Sequence, residues 1–101
     1  MARVSIVLLP SLAETLGSEA AFEEVLPDLE NKGERSVRDL LNRLAARYFR
    51  FKRLVFDIQT QQLTGETLVF LNGRLLEPDR GLKTDLHDGD TLTFIPFIEG
   101  G

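Results

Sequence analysis

Cysteine is absent from all 101 residues. That removes disulfides, thiolate nucleophiles, iron–sulfur clusters and the common structural zinc sites together. Histidine occurs once, as His87, so a catalytic triad or a multi-histidine metal site is nearly excluded as well. No apolar run approaches the ~18 residues of a membrane-crossing helix. The opening stretch MARVSIVLLP passes directly into an alternating pattern with no small-residue cleavage site, so a cytoplasmic location is expected by default. A basic excess is missing too. With 12 Lys and Arg against 16 Asp and Glu, the formal charge is -4, which argues against direct binding of nucleic acid or anionic membrane.

What remains is a chain that is 43% hydrophobic, enough for one compact domain over residues 1–101 and too short for two adequate cores. Arg3 to Leu9 alternates, with Val4, Ile6 and Leu8 on one face, while Val7 and Leu9 make the other face partly apolar, as in a strand near a sheet centre. Pro10 is expected to end it. Ser11 to Ser18 can form a helical turn closed by Gly17, and Ala20 to Leu26 can return as a second strand until Pro27. Ser36 is placed as a helix N-cap, with Asp39 three residues on as the capping-box acid; Val37, Leu40, Leu41, Leu44 and Tyr48 then recur at helical spacing. From Phe49 to Leu63 the pattern weakens, leaving a helix extension, a second short helix or a long loop open.

Thr67 to Leu71 reads as an apolar strand. Asn72-Gly73 follows as a hairpin turn whose central residues both need positive φ, and Arg74 to Leu76 is the return strand. Leu82 to Leu86 is a turn-forming segment, Asp88-Gly89-Asp90 a tight turn, and Thr91 to Ile98 the last strand, with Leu92 and Phe94 inward. One helix across a mixed sheet is an α+β layer solution. Placing the first and last strands side by side and parallel, with the helix in the crossover, gives a β-grasp.

The chain ends IPFIEGG. A terminal glycine pair arises by chance in roughly 1 of 200 chains. Its position directly after a strand says more: two residues without a Cβ can thread a narrow cleft and leave the terminal carbonyl carbon open to attack. Such an end suits a carboxylate that another enzyme activates as an acyl-adenylate; a frayed terminus is the plainer alternative.

Phe70-Leu71-Asn72-Gly73, then Leu82 to Leu86, Asp88-Gly89-Asp90, Leu92, Phe94, Pro96, Ile98 and Gly100-Gly101 resemble the MoaD/ThiS family, the ubiquitin-like sulfur carriers typified by the molybdopterin synthase small subunit and the thiamine carrier. The resemblance is specific in the C-terminal third and a matter of pattern before it. Phe49 to Glu66 looks like an insertion relative to shorter members, and Glu99 stands where many relatives have a small residue.

The resemblance implies a ubiquitin-like β-grasp and a carrier that is itself no enzyme. An E1-like adenylating enzyme would use ATP and Mg²⁺ to adenylate the Gly101 carboxylate, and a persulfide sulfur would replace AMP to leave a thiocarboxylate. No cofactor or metal would be bound by the chain itself. The acceptor would be the molybdopterin synthase large subunit or another sulfur acceptor: a thiamine, cysteine or tRNA-thiolation pathway, or a lysine in protein modification. A β-grasp interaction module with an inert end is the alternative from another class.

Pro96, Phe97, Ile98 and Glu99 read first as strand-end residues, and second as a stretch that docks into a partner groove by strand addition, with Pro96 marking where sheet pairing stops. His87, beside the Asp88-Gly89-Asp90 turn, reads as a solvated turn histidine. Arg43, Arg47, Arg50, Lys52 and Arg53, interleaved with Tyr48, Phe49 and Phe51, superficially resemble a nucleic-acid patch and are more simply a solvated helix face with buried aromatics. Glu14 to Glu34 holds seven acids and one lysine, so an acidic side and a basic side are expected to orient docking.

Overall fold

The computed structural model describes residues 2–26 and 35–97. Within them the order is β1 (Ala2–Leu8), α1 (Pro10–Leu16), β2 (Ala21–Leu26), α2 (Val37–Arg47), α3 (Phe51–Leu54), β3 (Phe56–Asp57), β4 (Gln62–Leu63), β5 (Thr67–Leu71), β6 (Arg74–Leu75), a 3-10 turn at Gly81–Lys83 and β7 (Thr91–Pro96).

The main sheet of the described residues has the strand order β2-β1-β7-β5-β6. β1 and β7 lie side by side and parallel, Ser5 opposite Thr91 through Leu8 opposite Phe94, while the β1–β2, β5–β7 and β5–β6 pairs are antiparallel. This is the β-grasp arrangement. The two-residue period of β1 puts Ala2, Val4, Ile6 and Leu8 inward, where they meet Leu92 and Phe94 of β7 and the apolar face of α2, formed by Val37, Leu40, Leu41, Leu44 and Ala45. Val7 on the opposite face of β1 is 37% exposed, so that face is not covered despite its central position.

Pro10 does not simply end the first strand. It occupies the first turn of α1, where a missing N–H costs nothing, and Leu9 is the N-cap. Gly17 closes this helix at φ 75°, a left-handed conformation that favours glycine, with its N–H and that of Ser18 returning to Glu14 and Ala13. The expected second strand begins at Ala21, and its proposed end at Pro27 lies outside the described residues.

The start of α2 follows the sequence closely. The Asp39 N–H donates to Ser36 Oγ at 3.2 Å, and the Ser36 N–H donates to Asp39 Oδ2 at 3.0 Å. The N–H of Val37 donates to the Thr84 carbonyl and that of Leu86 to the Arg35 carbonyl, so the same residues fasten the helix to the segment before the last turn.

Phe49 to Leu63 resolves into the single turn of α3 and the small β3–β4 hairpin. Phe51, Val55 and Phe56 are buried here, with the Phe51 ring edge-on to Phe94 at 5.7 Å between centroids. The stretch that looked like an insertion therefore supplies core. Asn42 and Gln61 exchange amide hydrogen bonds at 2.9 and 3.0 Å, tying the hairpin turn to α2.

Candidate functional site at the end of the last strand

β7 pairs on both sides, with β1 and with β5, and is therefore held by two ladders rather than one. Its inward residues Leu92 and Phe94 are fully buried. The described part of the strand runs from Thr91 to Pro96, and its expected end at Ile98 lies outside the described residues. Pairing runs one residue beyond Pro96: the Phe97 N–H donates to the Glu66 carbonyl at 2.8 Å. Whatever follows Phe97 is launched from a fixed point. The Phe97 side chain is 58% exposed. Of the candidate site residues, Pro96 and Phe97 are thus placed, whereas Ile98, Glu99, Gly100 and Gly101 lie outside the described residues.

At the other end of β7, Asn72 and Gly73 have φ of 51° and 83°, as the hairpin turn requires. The Asn72 side chain does a second job that sequence reading missed. Its Nδ2 donates to Asp90 Oδ1 at 3.0 Å and its Oδ1 accepts from the Thr91 N–H at 2.9 Å, so the Asn-Gly turn and the Asp-Gly-Asp turn brace each other. The carboxylates of that second turn accept backbone N–H groups, Asp88 from Arg3 and Asp90 from His87, each at 2.8 Å. The His87 ring is largely exposed and 3.9 Å from Asp90, a turn histidine as expected.

The basic cluster departs from its sequence reading. Arg47 is not merely solvated: it donates from both terminal nitrogens to the Glu24 carboxylate, at 2.9 Å each, with Arg43 approaching the same carboxylate at 3.4 Å. Glu24 points inward from β2 and its side chain is only 4% exposed. The hydrogen bond to Glu24 raises the Arg47 pKa above its usual value. The acidic and basic segments therefore meet at this one point, where Glu24 engages Arg47 and Arg43. Asp28, Glu30 and Glu34 lie outside the described residues. Of the three interleaved aromatics Phe51 is buried and Tyr48 half-buried, but Phe49 is 78% exposed, against expectation. Phe49 falls beyond the end of α2, so the helical period that buries its neighbours does not govern it.

Among the described residues no cluster of metal-ligating side chains occurs, and no helix is long and apolar enough to cross a membrane.

The chain is similar to small archaeal modifier protein 1 from Methanosarcina acetivorans, with 26% identity over all of this chain and 98% of the other, and a TM-score of 0.73. It is also similar to a chain of the BexX/CysO complex from Amycolatopsis orientalis, with 28% identity, coverage of 97% and 99%, and a TM-score of 0.62. The putative molybdopterin converting factor subunit 1 from Pyrococcus furiosus, at 24% identity, coverage of 97% and 100% and a TM-score of 0.68, shares the fold. No curated protein matches the sequence significantly. The ThiS family matches residues 14–101, from the middle of α1 through the final glycine, and with a β-grasp whose paired central strand leads into that glycine pair the chain belongs to this family of ubiquitin-like sulfur carriers and modifiers.

Proposed function

We propose that the chain carries sulfur on the C-terminal carboxylate of Gly101. An E1-like adenylating enzyme, with ATP and Mg²⁺, joins AMP to the carboxylate and releases pyrophosphate. A donor persulfide attacks the acyl carbon, AMP leaves, and a thiol cleaves the acyl disulfide to free the thiocarboxylate. The chain's own contribution is mechanical: a strand braced on both sides delivers Phe97 to a fixed point, and Phe97, Ile98 and Glu99 lead two glycines into the partner's cleft. The supporting observation is the family match that extends through Gly101, on a chain with no cysteine to compete for the sulfur.

The acceptor in this reading is the large subunit of molybdopterin synthase. Its test is to mix the thiocarboxylated protein with that subunit and the sulfur-free precursor. Return of the tail to a carboxylate with sulfur in the product supports it, and retention of the sulfur contradicts it. Likeness to small archaeal modifier protein 1 favours a second reading, in which the activated glycine is joined to a lysine. The test of that reading is a higher-mass conjugate that depends on ATP and on Gly101.

A further inference from the structure

A cleft of about 470 Å³ opens beside the root of the tail, lined by Thr15, Phe49, Arg50, Arg53, Leu54 and Glu66. Glu66 belongs to both features, since its carbonyl holds the Phe97 N–H. The Phe49 ring stands mostly in water, with the Lys52 ammonium 5.6 Å from its centroid. Arg43 and Arg47 are engaged by Glu24, whereas the guanidinium groups of Arg50 and Arg53 have no hydrogen-bond or ion-pair partner among the described residues. Two uncommitted guanidiniums and an ammonium against the single carboxylate of Glu66 make a locally positive, partly apolar hollow on a chain whose net charge is -4.

Its position decides what covers it. Four residues follow Phe97, and fully extended they reach at most ~14 Å. An enzyme that takes the last glycine into its own cleft must therefore sit against the surface around Phe97. A standard interface covers ~800 Å² of each partner, a patch ~30 Å across. The hollow shares Glu66 with the tail root and falls under that footprint. We propose that the Arg50–Arg53 hollow is the docking site for an acidic segment, carrying an apolar residue for Phe49 and Leu54, on the adenylating enzyme that receives the tail; this rests on the tail reading above. Arginine forks pair bidentately with carboxylates, and a charged rim sets encounter rate and partner choice. The hollow thus selects the partner, and the tail carries the chemistry.

The test reverses Arg50→Glu and Arg53→Glu together and follows carrier-dependent ATP–pyrophosphate exchange by the cognate adenylating enzyme. Neither side chain is bonded within the described residues, so the thermal melt is expected to stay in place. The expected result is a KM raised by about tenfold or more at unchanged kcat, with a wild-type KM that rises with salt more steeply than that of the variant. An unchanged KM in the variant, with the wild type active, overturns the hollow and leaves the tail reading standing. A second arm titrates the protein with a capped peptide of aspartate and glutamate flanking one phenylalanine, and reads amide shifts by NMR. Shifts at residues 49–54 and 66 that vanish at ~0.5 M salt support the hollow even if the enzyme never activates the wild type, in which case the tail reading alone fails. Absence of such shifts together with absence of activation overturns both. If truncation after Phe97 itself shifts residues 49–54, the occupant is the chain's own tail and the proposal is overturned.

Discussion

Arg47 on helix α2 and Glu24 on edge strand β2 form a two-pronged ion pair, both bonds at 2.9 Å, with the carboxylate buried and the guanidinium half in water. Truncating Arg47 to alanine leaves Glu24 with the longer contact to Arg43 alone. The expected cost is about 1 to 3 kcal/mol, below the ~3 to 5 of a fully buried broken pair because half of Arg47 is screened by solvent. Replacing both residues by leucine should recover most of that loss. Urea unfolding of Arg47→Leu, Glu24→Leu and the double leucine variant measures the coupling. Coupling near zero means that the fork is ornamental.

Leu44 is 1% exposed at the centre of the helix face that meets the sheet. Leu44→Ala should cost ~2 to 5 kcal/mol, according to how far the site collapses. A loss below half of the lower figure would place the helix in a different rotation.

Asn72→Ala removes both side-chain bonds to the last turn and leaves alanine at φ 51°. About 1 to 3 kcal/mol of stability should go. Asn72→Gly keeps the turn but not the bonds and should fall between alanine and wild type. Equal losses would show that the bonds alone matter.

These residues also show how far the sequence could be read. The capping box at Ser36 and Asp39, the Asn72-Gly73 turn and the inward faces of β1 and β7 depend on contacts within a few residues or on a strict period, and such signals survive in a single chain. The Glu24–Arg47 pair joins positions 23 residues apart, and the exposed Phe49 lies where helical periodicity has just stopped. Nothing local records either. Val55 and Phe56 are obscured for a different reason: one short helical turn and a two-residue hairpin give no period long enough to recognise.

Gly100→Val should fold with an unchanged melting temperature and be adenylated poorly. Every described core residue lies between Ala2 and Phe94, so stability does not depend on position 100, while a β-branched side chain stiffens the backbone and widens what a narrow cleft must admit. Circular dichroism with a pyrophosphate-release assay separates the two effects. Activation equal to wild type would mean that the glycine pair is not threaded through a cleft.

The most direct measurement is the intact mass of the protein after incubation with the cognate adenylating enzyme, ATP, Mg²⁺ and a persulfide donor. The wild-type chain should gain the mass difference between sulfur and oxygen. The variant lacking Gly101, equally stable, should gain nothing. A Gly101 deletion that still acquires sulfur, or a wild-type chain that never does with an enzyme active on its own substrate, would contradict a carrier that works through its terminal carboxylate.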